Sequence, residues 1–231
     1  MKLSSLSFCI PAYKDEETIT AVVTDAVRVG REIADSFEII VINDKSPDGM
    51  GKVLADLVKK TKELRVITHS VNAGYGGTIR ELYYAAKKEW LFTVPGDNQI
   101  PVSEIRKLLP ACDHADMIVG NRIWRHDPKA RLRQSWIYNT LVRFLFRVKV
   151  KDVNSVRLMR TSLLKTIKLT KTSAFVDAEL IIRAIRAHFR VVNAPIEHLA
   201  RSGGETGAGG GKWSTIGPTI ADMIGFWILQ R

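Results

Sequence analysis

Short apolar runs alternate with helical patterns along the first half of the chain. Each run is five to eight residues long, rich in β-branched or aromatic residues and bounded by turn formers, which is typical of buried strands. Strands are predicted at 6–13, 38–42, 64–68, 90–94 and 116–120, and helices at 16–34, 50–62 and 103–112. The segment 72–88 opens with glycines and then becomes helical. Because strands that alternate with helices imply right-handed crossovers, we expect an α/β fold with a mainly parallel sheet.

The second half of the chain has a different character. Its pattern predicts an apolar, tryptophan-bearing helix at 133–147, a strand with a helical turn at 153–167, a helix at 177–189, a strand at 190–196 and an apolar helix at 216–229. The one low-complexity segment, at 202–211, is rich in glycine. No internal repeat or linker divides the chain, so we expect a single domain over residues 1–231.

The composition is that of an ordinary globular protein. Of the 231 residues, 45% are apolar and 26% are charged, which excludes a disordered chain. Cys9 and Cys112 lack metal-ligand spacing, so we expect them to be packing residues in a reducing compartment. No run approaches the roughly 20 apolar residues that span a bilayer, and the first residues lack the apolar core of a secretion signal. We expect a soluble or peripheral protein.

The positive charge is concentrated in one part of the chain. Residues 122–171, which we call the basic window, contain fourteen lysines and arginines against only Asp127 and Asp152, a net charge of +12. The rest of the chain carries 21 basic and 22 acidic side chains, so nearly all of the net +11 lies in this window. Such a block attracts the phosphates of nucleic acid, anionic lipid or a small substrate, although a diffusely solvated face is the alternative.

Two acidic turns each follow directly on a predicted strand, at residues 43–49 and 95–99. Ligands of open α/β sheets bind outside the carboxyl ends of the strands, so carboxylates placed there indicate a site for a polar ligand. Asp44 can accept hydrogen bonds from sugar hydroxyls or a base edge. Asp97 and Gln99, at i and i+2 in an extended turn, can present oxygens to one divalent cation. The alternatives are plain turns, with an Asx turn in the second case.

Two further segments could contact a phosphate or nucleoside. Asn72, Gly74 and Gly76 precede a predicted helix, where glycines let backbone amides approach a phosphate, and Arg80 follows on that helix. Simple turn geometry explains such a loop equally well, and the Gly-Lys-Ser/Thr of nucleoside triphosphatases is absent. Asp15 lies at the mouth of the first strand, where its alternative role is to stabilise the first turn of the next helix.

The order of these motifs resembles that of the inverting family 2 glycosyltransferases of the GT-A fold, in particular the dolichyl-phosphate or polyprenyl-phosphate sugar synthase branch. The matching segments are Pro11-Ala12-Tyr13-Lys14-Asp15, Asn43-Asp44-Lys45-Ser46-Pro47-Asp48-Gly49, Asn72-Ala73-Gly74-Tyr75-Gly76-Gly77, Gly96-Asp97-Asn98-Gln99-Ile100-Pro101 and Gly120-Asn121-Arg122. Asp152, Arg160, Glu179 and Arg201-Ser202-Gly203-Gly204-Glu205 extend the similarity over most of the chain. The resemblance implies a three-layer sandwich with a nucleotide-sugar-binding half (1–121) and an acceptor-binding, membrane-proximal half (122–231).

The resemblance also implies roles for individual residues. Pro11, Tyr13, Asp15 and Asp44 would hold the nucleoside, with Asn72, Gly74, Gly76, Arg80 and Asp97 completing the nucleotide site. Asp97 and Gln99 would bind Mg²⁺ or Mn²⁺ on the diphosphate of a UDP- or GDP-linked sugar. Arg122, Arg133, Arg160 and Arg201 would face the acceptor phosphate, and the catalytic set would be Asp97, Arg122, Asp152 and Glu179, the last two in orienting roles.

Two positions depart from the family pattern. Pro95 stands where the family usually has the first Asp of Asp-x-Asp, so the first metal carboxylate is missing. Lys14 stands where an Asn is usual. We therefore expect metal affinity to be weaker than in relatives.

A polyprenyl phosphate acceptor would give the basic window a purpose. The predicted helix over 134–147 sets Ile137, Leu141 and Phe144 at helical spacing between flanking arginines, as in a segment that lies in a membrane interface. Burial of this face in the core is the alternative, and both interpretations also apply to the terminal helix. We expect a cytoplasmic enzyme, peripherally bound to the inner face of a membrane, with Arg201 and the glycines after it as a lid.

Two other functions compete with this one. The same fold could transfer sugar to a soluble glycan or protein. A non-enzymatic nucleic-acid-binding protein would explain the basic window, but it leaves Asp44, Asp97 and Gln99 without a role, and the two carboxylates would repel nucleic acid. We therefore expect no nucleic-acid partner.

Overall fold

A seven-stranded sheet runs through the residues that the computed structural model describes, which are 2–200 and 213–229. Its strands are β1 (Leu3–Ala12), β2 (Ala34–Asn43), β3 (Leu64–Thr68), β4 (Trp90–Thr93), β5 (Met117–Ile123), β6 (Arg157–Arg160) and β7 (Val191–Glu197). Their spatial order is β3-β2-β1-β4-β6-β5-β7, and only the two pairs that involve β6 are antiparallel. The predicted α/β fold with a mainly parallel sheet is confirmed.

Helices cover both faces of the sheet. In the described chain they are α1 (Ile19–Ile33), α2 (Met50–Lys60), α3 (Gly74–Ala85), α4 (Ile105–Leu108), α5 (Lys129–Phe146), α6 (Leu163–Thr166), α7 (Val176–Arg186) and α8 (Trp213–Ile228). Helices α1, α2 and α4 share one core with the sheet, and the other five share a second core. Because strand side chains alternate, Phe8 and Ile10 of β1 enter the first core and Cys9 the second. None of these described helices is long and apolar enough to cross a bilayer.

The predicted length of the helix at 103–112 is wrong. Only Ile105–Leu108 is α-helical, and 3₁₀ turns at Val102–Glu104 and Leu109–Ala111 flank it. Pro110 explains the break, because it has no backbone N–H to bond the carbonyl of Arg106 and its ring would clash with that carbonyl.

The reversed strand β6 determines what lies at the carboxyl edge of the sheet. Because β6 is antiparallel to β4 and β5, its first residue, Arg157, lies beside the last residue of β4 and pairs with Val119 of β5. The backbone N–H of Arg157 donates to Thr93 Oγ1 (2.9 Å), and the N–H of Gly120 donates to the carbonyl of Val156 (2.9 Å). The residues that precede β6 are therefore held between the turn after β4 and the end of β5.

A buried ion pair anchors β6 to the helical layer. Arg157 Nη1 lies 3.0 Å from Asp177 Oδ1, and both side chains are at most 1% exposed. Asp177 also accepts hydrogen bonds from the hydroxyls of Tyr75 (2.8 Å) and Tyr83 (3.2 Å). Removing either Arg157 or Asp177 would leave the charge of the other buried and uncompensated, which is strongly destabilising. The cluster therefore holds β6, α3 and α7 in one arrangement.

Candidate active site

A cavity of about 570 Å³ opens at the edge where β1, β2, β4 and β5 end, a size typical of small-molecule sites. Nine of the predicted site residues line it: Pro11, Tyr13, Asp15, Asp44, Asn72, Gly74, Asp97, Gln99 and Arg122. The start of α3 and the first turn of α8 complete the wall. Both acidic turns therefore reach the same cavity.

Strained backbone is concentrated at this edge. Lys14, Lys45, Asn98 and Trp124, which follow β1, β2, β4 and β5, have left-handed φ angles between 54° and 59°. A non-glycine residue in this conformation costs on the order of 1 kcal/mol. Strain that clusters along one edge of a sheet is typical of a functional site rather than of connecting loops.

Asp44 is held in a defined orientation at the end of β2. Its Oδ1 accepts from the backbone N–H of Ala73 (2.7 Å) and lies 2.7 Å from Nδ1 of His69, whose Nε2 lies 3.0 Å from Glu81. Burial of the ring lowers the pKa of His69, but hydrogen bonds and the charges of Asp44 and Glu81 together raise it above the ordinary value. A protonated ring can donate to both carboxylates, which leaves Oδ2 of Asp44 for a ligand.

Asp15 meets the second acidic turn at close range. Its Oδ2 accepts from the backbone N–H of Tyr13 at 3.0 Å. A Cβ at Gly96 would lie 2.8 Å from that same oxygen and 3.1 Å from the carbonyl of Pro11. Only glycine at position 96 therefore permits this contact between the loops after β1 and β4.

Asp97 and Gln99 belong to an Asx turn, so the expectation of an extended turn is wrong. Asp97 Oδ1 accepts from the backbone N–H of Gln99 (3.0 Å), and Asn98 between them is left-handed. The backbone carbonyl of Gln99 accepts from the N–H of Leu199 (2.8 Å). The oxygens that remain for a cation are the second carboxylate oxygen of Asp97 and the side-chain amide oxygen of Gln99.

This donor set fits a cation that takes its other ligands from water and substrate. Among the described residues, no three His, Cys, Asp or Glu side chains are arranged to hold a metal ion. Mg²⁺ is usually bound by one or two carboxylates together with substrate phosphates, so Asp97 with a bound diphosphate would be sufficient. Pro95, in the place of the usual first Asp, adds no ligand.

Arg122 forms a bidentate ion pair with Asp152. Nε lies 2.6 Å from Oδ2 and Nη2 lies 2.8 Å from Oδ1. Burial alone would raise the pKa of Asp152, but hydrogen bonds and charge from Arg122 hold it below the ordinary value. An ionised carboxylate whose lone pairs face a guanidinium is a poor base. Asp152 does not line the cavity, and it can act there only by orienting Arg122.

The structure contradicts a catalytic role for Glu179. This residue is fully buried in α7 and does not line the cavity. Its carboxylate accepts from the backbone N–H groups of Thr170 and Lys171 at 2.9 to 3.1 Å, and from Arg183 Nε at 2.9 Å. Glu179 therefore stabilises the loop before α7.

Two residues expected at the nucleotide lie outside the cavity. Gly76 packs against the loop at 172–173, where a Cβ would lie 2.1 Å from the carbonyl oxygen of Ser173 and 2.2 Å from that of Thr172. This glycine permits close helix-to-loop packing instead of an approach to phosphate. Arg80 points to the same region, with Nη1 3.5 Å from the carbonyl of Thr170.

Two of the arginines expected at the acceptor phosphate are also absent from the cavity wall. Arg160 ends β6 at the opposite edge of the sheet, where it pairs with Glu89 and its guanidinium lies 4.5 Å from the ring centroid of Trp90. Arg133 is exposed on α5, whereas Arg131 from the same helix lines the cavity. Arg201 and the proposed lid lie outside the described residues.

The wall also contains polar residues for which the sequence predicted no role, among them Thr78, Asn154, Ser155 and His198. Asn154 and Ser155 were placed inside a predicted strand, but β6 begins only at 157. His198 follows β7, and its pKa is lowered by burial first and then by the charge of Arg122. It therefore presents a neutral imidazole, with Nε2 3.9 Å from Asp127.

Next to the cavity, α5 and α8 present apolar side chains to solvent. On α5, Trp136 is 66% and Phe144 79% exposed, while Val142 and Phe146 on its other face are buried. Helix α8 contacts α5 and exposes Ile220, Ile224 and Ile228. Each helix therefore has one face in the core and another that is exposed to solvent. We call the exposed side the apolar face of α5 and α8.

Comparison with known proteins identifies the family. The family model described as glycosyl transferase family 2 matches residues 7–170. Glycosyltransferase AglD of Haloferax volcanii is 26% identical over 231 residues, which cover 95% of this chain and 34% of that protein. Polyprenol monophosphomannose synthase of Mycolicibacterium smegmatis is 29% identical over 213 residues, which cover 83% of this chain and 76% of that protein.

A solved structure has the same fold. The chain superposes on glucosyl-3-phosphoglycerate synthase from Mycobacterium tuberculosis, in complex with Mn²⁺, uridine diphosphate and phosphoglyceric acid, with a TM-score of 0.71. The match covers 95% of this chain and 76% of that one at 15% sequence identity. At this identity the likeness concerns the fold, and the predicted GT-A architecture is confirmed.

Proposed function

This chain is a member of glycosyl transferase family 2, and we propose that it moves a sugar from a nucleotide-sugar to a polyprenyl phosphate at a membrane surface. Family 2 is the family that the sequence motifs predicted. The relative from M. smegmatis is named a polyprenol monophosphomannose synthase, a name that belongs to the predicted branch of polyprenyl-phosphate sugar synthases. The observation that carries the proposal is the convergence of both acidic turns with Arg122 and Arg131 in one cavity. Carboxylates suited to a nucleoside and a cation meet there with guanidinium groups suited to phosphates.

The donor nucleoside would lie at the ends of β1 and β2. Tyr13 and Asp15 wall one side, and the free oxygen of Asp44 accepts from the base or ribose. At the start of α3 the backbone N–H groups of Ala73 and Gly74 donate to the side chains of Asp44 and Asn72. The N–H groups that follow Gly74 in the first turn have no helical partner, and these would contact a phosphate. The choice between UDP and GDP rests on the base edge that Asp44 meets.

A divalent cation would lie between Asp97, Gln99 and the diphosphate. When bound, it neutralises charge on the departing nucleoside diphosphate. Asp97 contributes the carboxylate and Gln99 its amide oxygen. With a single carboxylate, the cation depends on the nucleotide for most of its ligands, so we expect metal and nucleotide to bind together.

Transfer would need little proton chemistry from the protein. An oxygen of the lipid phosphate, already ionised at neutral pH, forms a bond to the anomeric carbon while the bond from that carbon to the diphosphate breaks. The electron pair leaves with the nucleoside diphosphate, and the configuration inverts. Arg122, held by Asp152, and Arg131 would position the attacking phosphate, so catalysis rests on orientation and charge stabilisation.

The apolar face of α5 and α8 supports docking on an anionic membrane. Exposed Trp136 and Phe144 can enter the interface, and the basic window supplies lysines and arginines worth about 1 kcal/mol each near an anionic leaflet. The cavity opens beside α5, so an acceptor headgroup would reach Arg131 from the bilayer. Peripheral attachment to the inner face of a membrane is part of this proposal.

Turnover tests the proposal directly. Purified protein is incubated with UDP- and GDP-hexoses, a short polyprenyl phosphate and Mg²⁺ or Mn²⁺, and release of nucleoside diphosphate and formation of glycolipid are followed. Lipid-dependent turnover with one donor supports it. If sugar is transferred to a soluble acceptor and none to the lipid, the proposed lipid acceptor is wrong. If no nucleotide binds in a metal-dependent way, the proposed glycosyltransferase function itself is refuted.

A further inference from the structure

Unpartnered polar atoms are concentrated in the cavity wall. In the described chain, six residues carry a solvent-shielded side-chain nitrogen or oxygen without a hydrogen-bond partner: Thr78, Tyr138, Asn154, Ser155, Arg157 and His198. Four of them line the cavity, and Arg157 belongs to the ion-pair cluster beneath it. Since buried polar groups nearly always find a partner, a cluster of exceptions around one cavity indicates partners supplied by a ligand.

Asn154 and Ser155 form the most informative pair. Ser155 is 5% exposed, yet its Oγ has no partner, and neither has Oδ1 of Asn154. The backbone beneath them is fixed from the protein side, because Arg157 Nη2 donates to the carbonyls of Ser155 (2.8 Å) and Val153 (3.4 Å). The segment is thus rigid without using its own side chains, as expected of a preorganised binding element.

The register of β6 places this pair between the metal turn and the phosphate-binding arginine. Val156 bonds to Gly120 of β5, and Arg157 bonds to Thr93 of β4. The two residues before them therefore lie between the turn that contains Asp97 and the end of β5. Along the sheet edge the order is nucleoside end, Asp97, Asn154 with Ser155, and Arg122.

This inference rests on the proposed function: we propose that Asn154 and Ser155 bind hydroxyl groups of the donor sugar and determine which nucleotide-sugar is used. In an in-line transfer the sugar must lie between the diphosphate and the attacking phosphate. Asn154 and Ser155 lie at that place along the sheet edge. An amide offers one acceptor and two donors, and a serine hydroxyl donates and accepts, so together they match neighbouring hydroxyls of a hexose. A rotation about the Cα–Cβ bond of Ser155 turns its hydroxyl to a ligand.

The selectivity should be large for a missing or inverted hydroxyl. A site built to bind a hydroxyl rejects an analogue that lacks it, because the protein groups are then left buried and unpaired. The present unpaired state of both side chains is the unfavourable state that a correct sugar would relieve.

The experiment compares binding of a nucleoside diphosphate with binding of the matching nucleotide-hexose, both with Mn²⁺, by calorimetry. Ser155→Ala and Asn154→Ala are the test variants, and Ser162→Ala, on an exposed serine just beyond β6, is the control. We expect both test variants to bind the nucleoside diphosphate as the wild type does and the nucleotide-hexose roughly tenfold more weakly. Their preference among hexose donors should flatten as well.

Thermal unfolding shows whether a substitution weakens sugar binding directly or only by destabilising the fold. Because the Ser155 hydroxyl has no partner, Ser155→Ala should unfold at the wild-type temperature or above it. Equal weakening of both ligands, or no weakening of the nucleotide-hexose, would overturn the sugar subsite while leaving the proposed function intact. Failure of the wild type to bind any nucleoside diphosphate would instead overturn the proposed function, and this inference with it.

Discussion

His69 offers a pH-dependent test of how the nucleotide site is held together. Its ring is 12% exposed and bridges Asp44 at 2.7 Å and Glu81 at 3.0 Å. In His69→Gln, an uncharged amide can donate to one carboxylate but cannot serve both from the same position. The substitution removes the charge that orients Asp44 while it keeps a polar side chain of similar reach.

The size of the effect follows from these contacts. A hydrogen bond to a charged group is worth about 1.5–3 kcal/mol, and Glu81 is half exposed, so most of the effect comes from Asp44. If Asp44 binds the nucleoside, we expect the Kd for nucleoside diphosphate to rise roughly tenfold at pH 6, which corresponds to about 1.4 kcal/mol.

The sign of the pH dependence is determined by the raised pKa of His69. A group whose pKa is higher in the folded state stabilises the fold fully below its ordinary value of 6.5, and this contribution is lost as pH rises through the raised pKa. Between the wild type and His69→Gln, the difference in free energy of unfolding and in nucleotide affinity should be largest below pH 6.5. Both differences should shrink above the raised pKa.

Urea unfolding and nucleotide titration from pH 6 to 9 measure both quantities. His114→Gln, on an exposed histidine outside the cavity, is the matched control and should follow the wild type throughout. If the curves of the wild type and His69→Gln run parallel over this range, protonated His69 does not hold Asp44 and the reasoning is wrong.

Three further substitutions test other parts of the site. Gly76→Ala places a Cβ 2.1 Å from a backbone carbonyl and should lower the unfolding free energy by about 2 kcal/mol in urea titration, whereas Gly217→Ala, in open space, should not destabilise. Asp152→Asn weakens the orientation of its arginine partner, and we expect kcat to fall about tenfold or more with nucleotide Kd unchanged; a change in Kd alone would contradict this role. Phe144→Glu should abolish flotation with anionic liposomes without changing the melting temperature, whereas Val58→Glu, on the exposed side of α2 across the sheet from α5, should leave flotation unchanged. Retained flotation of Phe144→Glu would exclude this face as the membrane contact.

Some predictions failed because they depended on tertiary packing, which a local sequence pattern does not reveal. Arg131 and Arg133 lie two positions apart on one amphipathic helix, and only the packing of α5 against the sheet decides which of them reaches the cavity. Glu179 matched a family motif, but its helix turns the carboxylate into the loop at 170–171. The reversed strand β6 was equally invisible, because its direction depends on pairing with two distant strands.

The amino-acid sequence by itself determined the strand-and-helix alternation and the placement of carboxylates at strand ends. These properties are local: periodicity marks each buried element, and all parallel strands end at the same edge, so Asp44 and Asp97 had to come close together. Tertiary structure alone decided which polar groups were left for a ligand. Hydrogen bonds across the fold occupy one oxygen of Asp44, both oxygens of Asp152 and the backbone carbonyl of Gln99, while the backbone that supports Asn154 and Ser155 is fixed from beneath and their side chains stay unpaired.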